Sequence, residues 1–323
     1  MTAETGPASA YETLRERVAA EAGTPVPAAV HALAGEVRGR HGGTVQGVLF
    51  YGSCLRQGEA IDLDGSVLDL YVLVGRYRDA YPGRLLALAN RVLPPNVFFV
   101  EVPWQGQVIR AKYAVLALDQ LERWTKREAR IPTFWARFAQ PVRLVWAADD
   151  QARARVLTVL ADAFVTFAFK TAALVDPPVE PDAFWTAGLT ATYRAELRSE
   201  GPDRARLLAE REPERTRALT PLGLAASGIG EPRDDGRLGW RMDPAERARS
   251  LRAWRFMWAS GKALSVLRLA KALFTFQGGV DYALYKIERH TGRRPELRSF
   301  ERRHPILCAP VILWRLRRSG SVR

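Results

Sequence analysis

The residues best placed to do chemistry are Tyr51-Gly52-Ser53 and Asp69, separated by fifteen residues. An apolar strand, Val48-Leu49-Phe50, runs into the small-residue turn. A second apolar strand, Asp69 to Val74, opens on the carboxylate. Backbone N–H groups of a Gly-Ser turn approach phosphate oxygens with no Cβ in the way. A carboxylate beside them holds Mg²⁺, a hard cation that takes oxygen ligands, against the same phosphates. This order is the one a metal-dependent nucleotidyl transfer needs. A plain hairpin with a surface aspartate is the alternative, and the strand-borne acid at this spacing favours chemistry over it.

The partner carboxylate is less defined. Sites of this kind commonly carry Asp-x-Asp on the second strand, but Val67 and Tyr71 stand two residues either side of Asp69. Asp62-Leu63-Asp64 spells the pattern, yet Gly65 rather than a strand follows it. Glu101, on the strand Val97–Val102, offers a further metal ligand. The second ligand is therefore open among Asp62, Asp64 and Glu101. Lys112 follows the third strand, where an ammonium would neutralise an α-phosphate or a leaving pyrophosphate. The four histidines (His31, His41, His290, His304) have no metal-ligand spacing. No phosphate-loop or dinucleotide fingerprint occurs, which leaves kinase and dehydrogenase chemistry without support.

The elements that must position these residues alternate. Helices are expected over 8–22 and 28–37, strands over 45–51 and 67–74, a helix over 81–92, and strands over 97–102 and 108–118. A mixed α/β (α+β) sheet domain over roughly 28–146 follows. Beyond it the pattern is helical, over 152–174 and 181–193. Residues 198–217 are charged and read as a solvated face, and 223–239 as a Gly- and Pro-rich loop. Asp243-Pro244 is a helix start, with Asp243 as N-cap. Trp254, Met257, Trp258 and Leu264 then share one face, which Arg268 interrupts.

The charge is uneven. The chain carries a net +13, and residues 251–323 hold sixteen Lys and Arg against four acids, a net +12, which leaves +1 for the rest. A basic appendage on a neutral body implies an anionic partner, nucleic acid or an acidic lipid surface. The run Ile306–Trp314 is apolar, broken by Pro310, and flanked by arginines. It is too short to span a bilayer, which takes about 20 residues, and suits an interfacial segment with Arg302, Arg303, Trp314 and Arg315 at phosphate level. Two cysteines, Cys54 and Cys308, make no disulfide framework, and the first 23 residues hold four glutamates and no apolar signal core. A cytoplasmic setting is expected.

Several short segments, in order, resemble the mitochondrial-type phosphatidate cytidylyltransferases, a nucleotidyltransferase family. They are Tyr51-Gly52-Ser53, Val67-Leu68-Asp69-Leu70, Val108–Val115 around Lys112, Ala136–Val142, Thr192–Arg198, Gly261-Lys262 and Tyr285-Lys286-Ile287. The chain departs from the pattern at Cys54 in place of Gly, Gln140 in place of Lys, and Glu196 in place of Asp. The resemblance implies a nucleotidyltransferase-fold domain (1–150), a helical winged-helix-like domain (151–245) and a basic helical C-terminal region on the inner face of a membrane (246–323). It implies CTP and phosphatidate as substrates, Mg²⁺ as cofactor, and CDP-diacylglycerol and pyrophosphate as products. Gly52 and Ser53 would cradle phosphates, Asp69 would hold the metal, and Tyr193, Glu196 and Arg198 would face the nucleotide. Nucleic acid is then not the expected partner. A soluble nucleotidyltransferase acting on a small molecule or protein, and a non-enzymatic basic nucleic-acid binder, are the other readings.

Overall fold

A computed structural model describes residues 6–63, 65–196, 202–275, 279, 282, 284 and 285. Helices α1 (Pro7–Ala22) and α2 (Ala28–His41) precede strands β1 (Val45–Tyr51) and β2 (Leu68–Val74). Then come α3 (Tyr77–Ala80), α4 (Arg84–Val92), β3 (Asn96–Trp104), β4 (Gln107–Ala117), α5 (Leu118–Trp124), α6 (Pro132–Phe138) and β5 (Val142–Ala147). The helical part follows as α7 (Asp150–Ala172), α8 (Pro181–Arg194), α9 (Pro202–Glu210) and α10 (Pro213–Ala226). The hairpin β6 (Gly230–Glu231) and β7 (Gly239–Trp240) and the long α11 (Pro244–Thr275) complete it. Local chemistry sets several starts. Pro7, Pro132, Pro181 and Pro213 open helices where the missing N–H costs nothing. The Asp149 carboxylate accepts from Ala152 N (2.7 Å) to cap α7, and Asp243 accepts from Ala245 N and Glu246 N to cap α11.

The α/β expectation holds: a mixed five-stranded sheet runs in the order β3-β4-β2-β1-β5, with β2 and β4 parallel and the other neighbours antiparallel. Both faces are covered, so its central strands are nearly continuous apolar runs. Phe50, Leu70, Val72, Tyr113 and Val115 pack on one face against α2 residues Val30, Leu33 and Val37. Leu49, Tyr71, Leu73 and Leu116 point the other way, into a core shared with Leu14 of α1, Trp135 of α6, Phe164 and Phe167 of α7, Trp185 of α8 and Trp254 of α11. Sheet and helical layer therefore bury one common core.

Three stretches differ from the sequence reading. β5 was not anticipated as a strand. The charged stretch after residue 198 forms α9 and α10, and α10 buries Thr216, Leu219, Thr220 and Leu224. Its charge is spent inward: Arg215 donates to Glu21 (2.7 Å) and to the Ala139 carbonyl (2.9 Å). α10 reaches Ala226 before the loop expected from 223, which carries the β6–β7 hairpin. Arg268, the charge on the apolar face of α11, is also turned inward, toward Pro94 O (2.9 Å) and Thr133 Oγ1 (3.3 Å). One turn on, the Lys271 ammonium donates to Leu93 O, Pro95 O and Asn96 Oδ1 at 2.6 to 2.9 Å, while burial and the neighbouring Arg268 push its pKa down to about 8. Among the described residues, no helix is long and apolar enough to cross a membrane.

His41 closes α2 in a box of Tyr81, Phe98 and Tyr113 rings. Its Nδ1 lies 2.9 Å from the Ala80 carbonyl, which only accepts, so the ring proton sits on Nδ1. Nε2 is buried without a partner. Burial pushes the His41 pKa down, so the unfolded chain takes up this proton first as pH falls. The neutral folded form is favoured above the unfolded value of about 6.5, and stability is lost as pH drops through it. Thermal unfolding at pH 7.5 and 5.5 should show a steeper loss in the parent protein than in His41→Gln. Equal pH slopes would remove His41 as the cause.

Candidate active site

The sheet register brings the two expected elements together. Tyr51, the last residue of β1, pairs with Asp69 of β2, and Asp69 pairs in turn with Lys112 of β4. All three lie on the face that carries the helical layer, because their neighbours Leu49, Tyr71 and Ala114 pack there. Lys112 Nζ is 3.1 Å from Asp69 Oδ1. Gly52 follows directly with φ +93°, and a Cβ built on it would stand 2.8 Å from Asp69 Oδ2. Only glycine fits: the left-handed backbone excludes a side chain, and so does the carboxylate. The Cys54 thiol then turns back to the Val67 carbonyl (3.6 Å), which fastens the turn to the residue before β2. Burial pushes that thiol's pKa up, which fits packing rather than nucleophilic work.

The turn and Asp69 line a cleft of about 190 Å³, together with Arg56, Arg137, Gln140, Pro141, Tyr193, Arg204 and Leu208. Tyr193 at the end of α8 is thus placed with Gly52, Ser53 and Asp69. Three arginines in the lining escaped the sequence reading. Arg56 donates to Gly52 O (3.2 Å), Gln140 Oε1 (3.1 Å) and Glu212 Oε1 (3.2 Å), which braces the turn against the helical layer. Burial lowers its pKa, partly offset by Glu212. Arg137 of α6 stacks on the Tyr51 ring (5.0 Å). Burial acts against its charge, but Tyr51, Tyr71, Glu196 and Asp69 outweigh that and hold its pKa above the ordinary arginine value. Glu196, just past the end of α8, is one of the acids whose charge bears on Arg137. Its turn is clamped by α11: Trp258 Nε1 donates to Ala191 O (2.9 Å), and the α11 backbone at Gly261 presses so closely on the Ala195 carbonyl that a Cβ there would collide.

Other expected residues fall elsewhere. Glu101 does not converge on Asp69. Register sets it on β3 opposite Arg110, which donates from Nε at 3.0 Å. Two strand spacings, about 10 Å, separate β3 from β2, so Glu101 serves an ion pair on the sheet and brings no second carboxylate to Asp69. Asp62 accepts from Gly65 N (3.1 Å) in an exposed loop turn. Asp64, Arg198, Arg302, Arg303, Trp314 and Arg315 lie outside the described residues. Among the described residues, no three His, Cys, Asp or Glu side chains cluster to hold a metal ion by themselves.

No protein-family model matches this chain, and no curated protein is detectably similar to it. The chemistry of the cleft must therefore be read from its own residues. Asp69 is the one carboxylate in the described lining, against Arg56, Arg137 and Arg204, and Glu212 beside it is already paired with Arg56, so the site attracts a polyanion. The donor set still fits Mg²⁺, which keeps several waters and is commonly held by one or two carboxylates plus substrate phosphates.

Gly52→Ala should distort the turn at a cost of about 1–3 kcal/mol and displace the Asp69 carboxylate. The expected outcome is a fall of several degrees in melting temperature, with nucleoside triphosphate binding reduced at least tenfold by calorimetry. Unchanged binding would show that the turn does not contact the phosphates.

Proposed function

We propose that this protein is a nucleotidyltransferase that moves CMP from CTP to phosphatidate, giving CDP-diacylglycerol and pyrophosphate. The observation that carries nucleotidyl transfer is the contact of Gly52 with the Asp69 carboxylate inside an arginine-lined cleft. The choice of CTP and phosphatidate rests on the motif resemblance, which supplies the family and its substrates. The helices after residue 150, followed by the small β6–β7 hairpin, agree with the winged-helix-like second part which that resemblance implies.

In this reading a phosphate oxygen of phosphatidate attacks the α-phosphorus of CTP. A new P–O bond forms, the α–β bridge breaks, and pyrophosphate leaves with the bond's electron pair. The attacking oxygen is already an anion, so no general base is required. Catalysis is then positioning and charge compensation. The Gly52 and Ser53 backbone receives the β- and γ-phosphates. Arg137 and Arg204 face the polyphosphate, and Arg56 keeps the turn in place through Gly52 and Gln140. Lys112, 39% exposed, is able to turn from Asp69 toward the leaving pyrophosphate. Tyr193 and Glu196 border the nucleotide. Asp69 would hold Mg²⁺, which when bound supplies charge neutralisation on the triphosphate. The basic C-terminal region, including Arg302, Arg303, Trp314 and Arg315, would draw the protein to its lipid at the cytoplasmic face.

Asp69→Asn keeps the side chain's shape and removes its charge. With labelled CTP, Mg²⁺ and phosphatidate vesicles, lipid-phase product should fall at least a thousandfold while the melting temperature stays within a few degrees. Retained turnover would sink the assignment of Asp69. Transfer to a water-soluble acceptor, with none to phosphatidate, would favour the small-molecule nucleotidyltransferase instead.

A further inference from the structure

A second cleft among the described residues is larger than the one that contains Asp69. About 1110 Å³ opens at the opposite end of β2, past Val74 and past the end of β4. Six residues of strand, about 20 Å, separate it from Asp69. Arg76, Arg78, Arg84, Arg91 and Arg123 line it, against a single acid, Asp119, which is already paired with Arg123 at 3.2 Å. The other four arginines are exposed and make no ion pair among the described residues.

Helix α4 forms one wall, and it carries apolar side chains on both its core side, Leu86 and Ala87, and its outer side. Beside them on the core side is Asn90, fully buried, which donates to Tyr81 Oη (2.8 Å) and Val115 O (2.9 Å) and accepts from Asn96 N (2.6 Å). Leu85, Leu88 and Val92 stand at helical spacing on the outer side, 84, 57 and 73% exposed. Leucines presented to water in a row, with arginines beside them at 84 and 91, need a partner that is apolar and anionic together.

We infer that α4 and the arginine cleft beside it form a docking surface for an anionic lipid bilayer, with the α4 leucines entering the acyl boundary and the arginines meeting headgroup phosphates. Charge selects this occupant. The chain's own residues 286–323 carry eleven Lys and Arg against three acids, the same sign as the cleft. A second copy would likewise set arginine against arginine. A nucleic acid would satisfy the arginines but leave the leucines in water, and the cleft's aromatic rings, Tyr77 and Tyr81, are buried rather than offered for stacking. The inference extends the lipid reading of the function and does not depend on nucleotidyl transfer.

The test uses the full chain and two variants, Leu85→Gln/Leu88→Gln/Val92→Gln and Arg78→Ala/Arg84→Ala/Arg91→Ala. All six side chains are exposed, so melting temperatures should match the parent. Co-sedimentation with phosphatidylglycerol–phosphatidylcholine vesicles should weaken at least tenfold in each variant, and pure phosphatidylcholine vesicles should bind poorly throughout. Free inorganic phosphate at millimolar concentration should not compete. Undiminished vesicle binding by the leucine variant would overturn the inference. So would oligonucleotide binding lost in the arginine variant while vesicle binding persists, or a parent dimer abolished by the leucine changes. Magnesium-dependent CTP binding, measured by calorimetry on the same proteins, should be unaffected. Its absence in all of them would remove the proposed reaction and leave the docking surface standing.

Discussion

The site depends on one missing atom. Antiparallel pairing sets Tyr51 opposite Asp69, and the chain leaves β1 through a residue with no Cβ. The Asp69 carboxylate occupies that space. The turn's backbone and the acid are thereby forced onto one spot, at the rim of a sheet whose interior is apolar on both faces. Everything else in the cleft is arranged around this contact: Lys112 beside the acid on the next strand, Cys54 fastening the turn, and Arg56 bracing it from outside.

The positive lining comes from three different places in the chain, and the common core is what assembles them. Arg56 lies just after the turn, Arg137 on a helix that leads into β5, and Arg204 on α9. Trp135, Phe164, Phe167, Trp185 and Trp254 lock those elements to the sheet in one cluster. The helical layer is thus part of the site rather than a neighbour of it. A half-buried arginine with paired acids nearby, such as Arg215 with Glu21, or Arg56 with Glu212, is costly to leave alone. Each such pair ties the charged stretch after residue 198 to the body of the molecule.

How much of this could be seen beforehand differs by element. The central strands were legible because sheets covered on both faces read as apolar runs, and the Gly-Ser turn with Asp69 was legible because its spacing joins two such runs. β5 is only six residues long, carries Arg143 as its second residue and is half-buried from Val145 on, so its alternation is too short to stand out. α9 and α10 looked solvated because composition cannot tell an arginine that faces water from one that faces a glutamate across the core. Glu101 was misplaced for a related reason. Residue order put it near the strands of the Gly-Ser turn and Asp69, and only the strand order, which inserts β4 between β3 and β2, separates it from Asp69. Arg137 lay inside a segment already singled out by resemblance, but its role needed the stacking on Tyr51, which is a fact of tertiary packing.

The ammonium of Lys271 has a consequence for solubility. β3 is the outermost strand on its side of the sheet, a position where unpaired backbone invites another chain to add itself. Its entrance offers nothing to such an intruder. Pro94 and Pro95 have no N–H to give, and the carbonyls of Leu93, Pro94 and Pro95 are already taken by Lys271 and Arg268. Pro103 removes a further donor near the strand's far end. The 32-residue α11, about 48 Å long, thus closes the entrance of this edge strand to another chain's backbone.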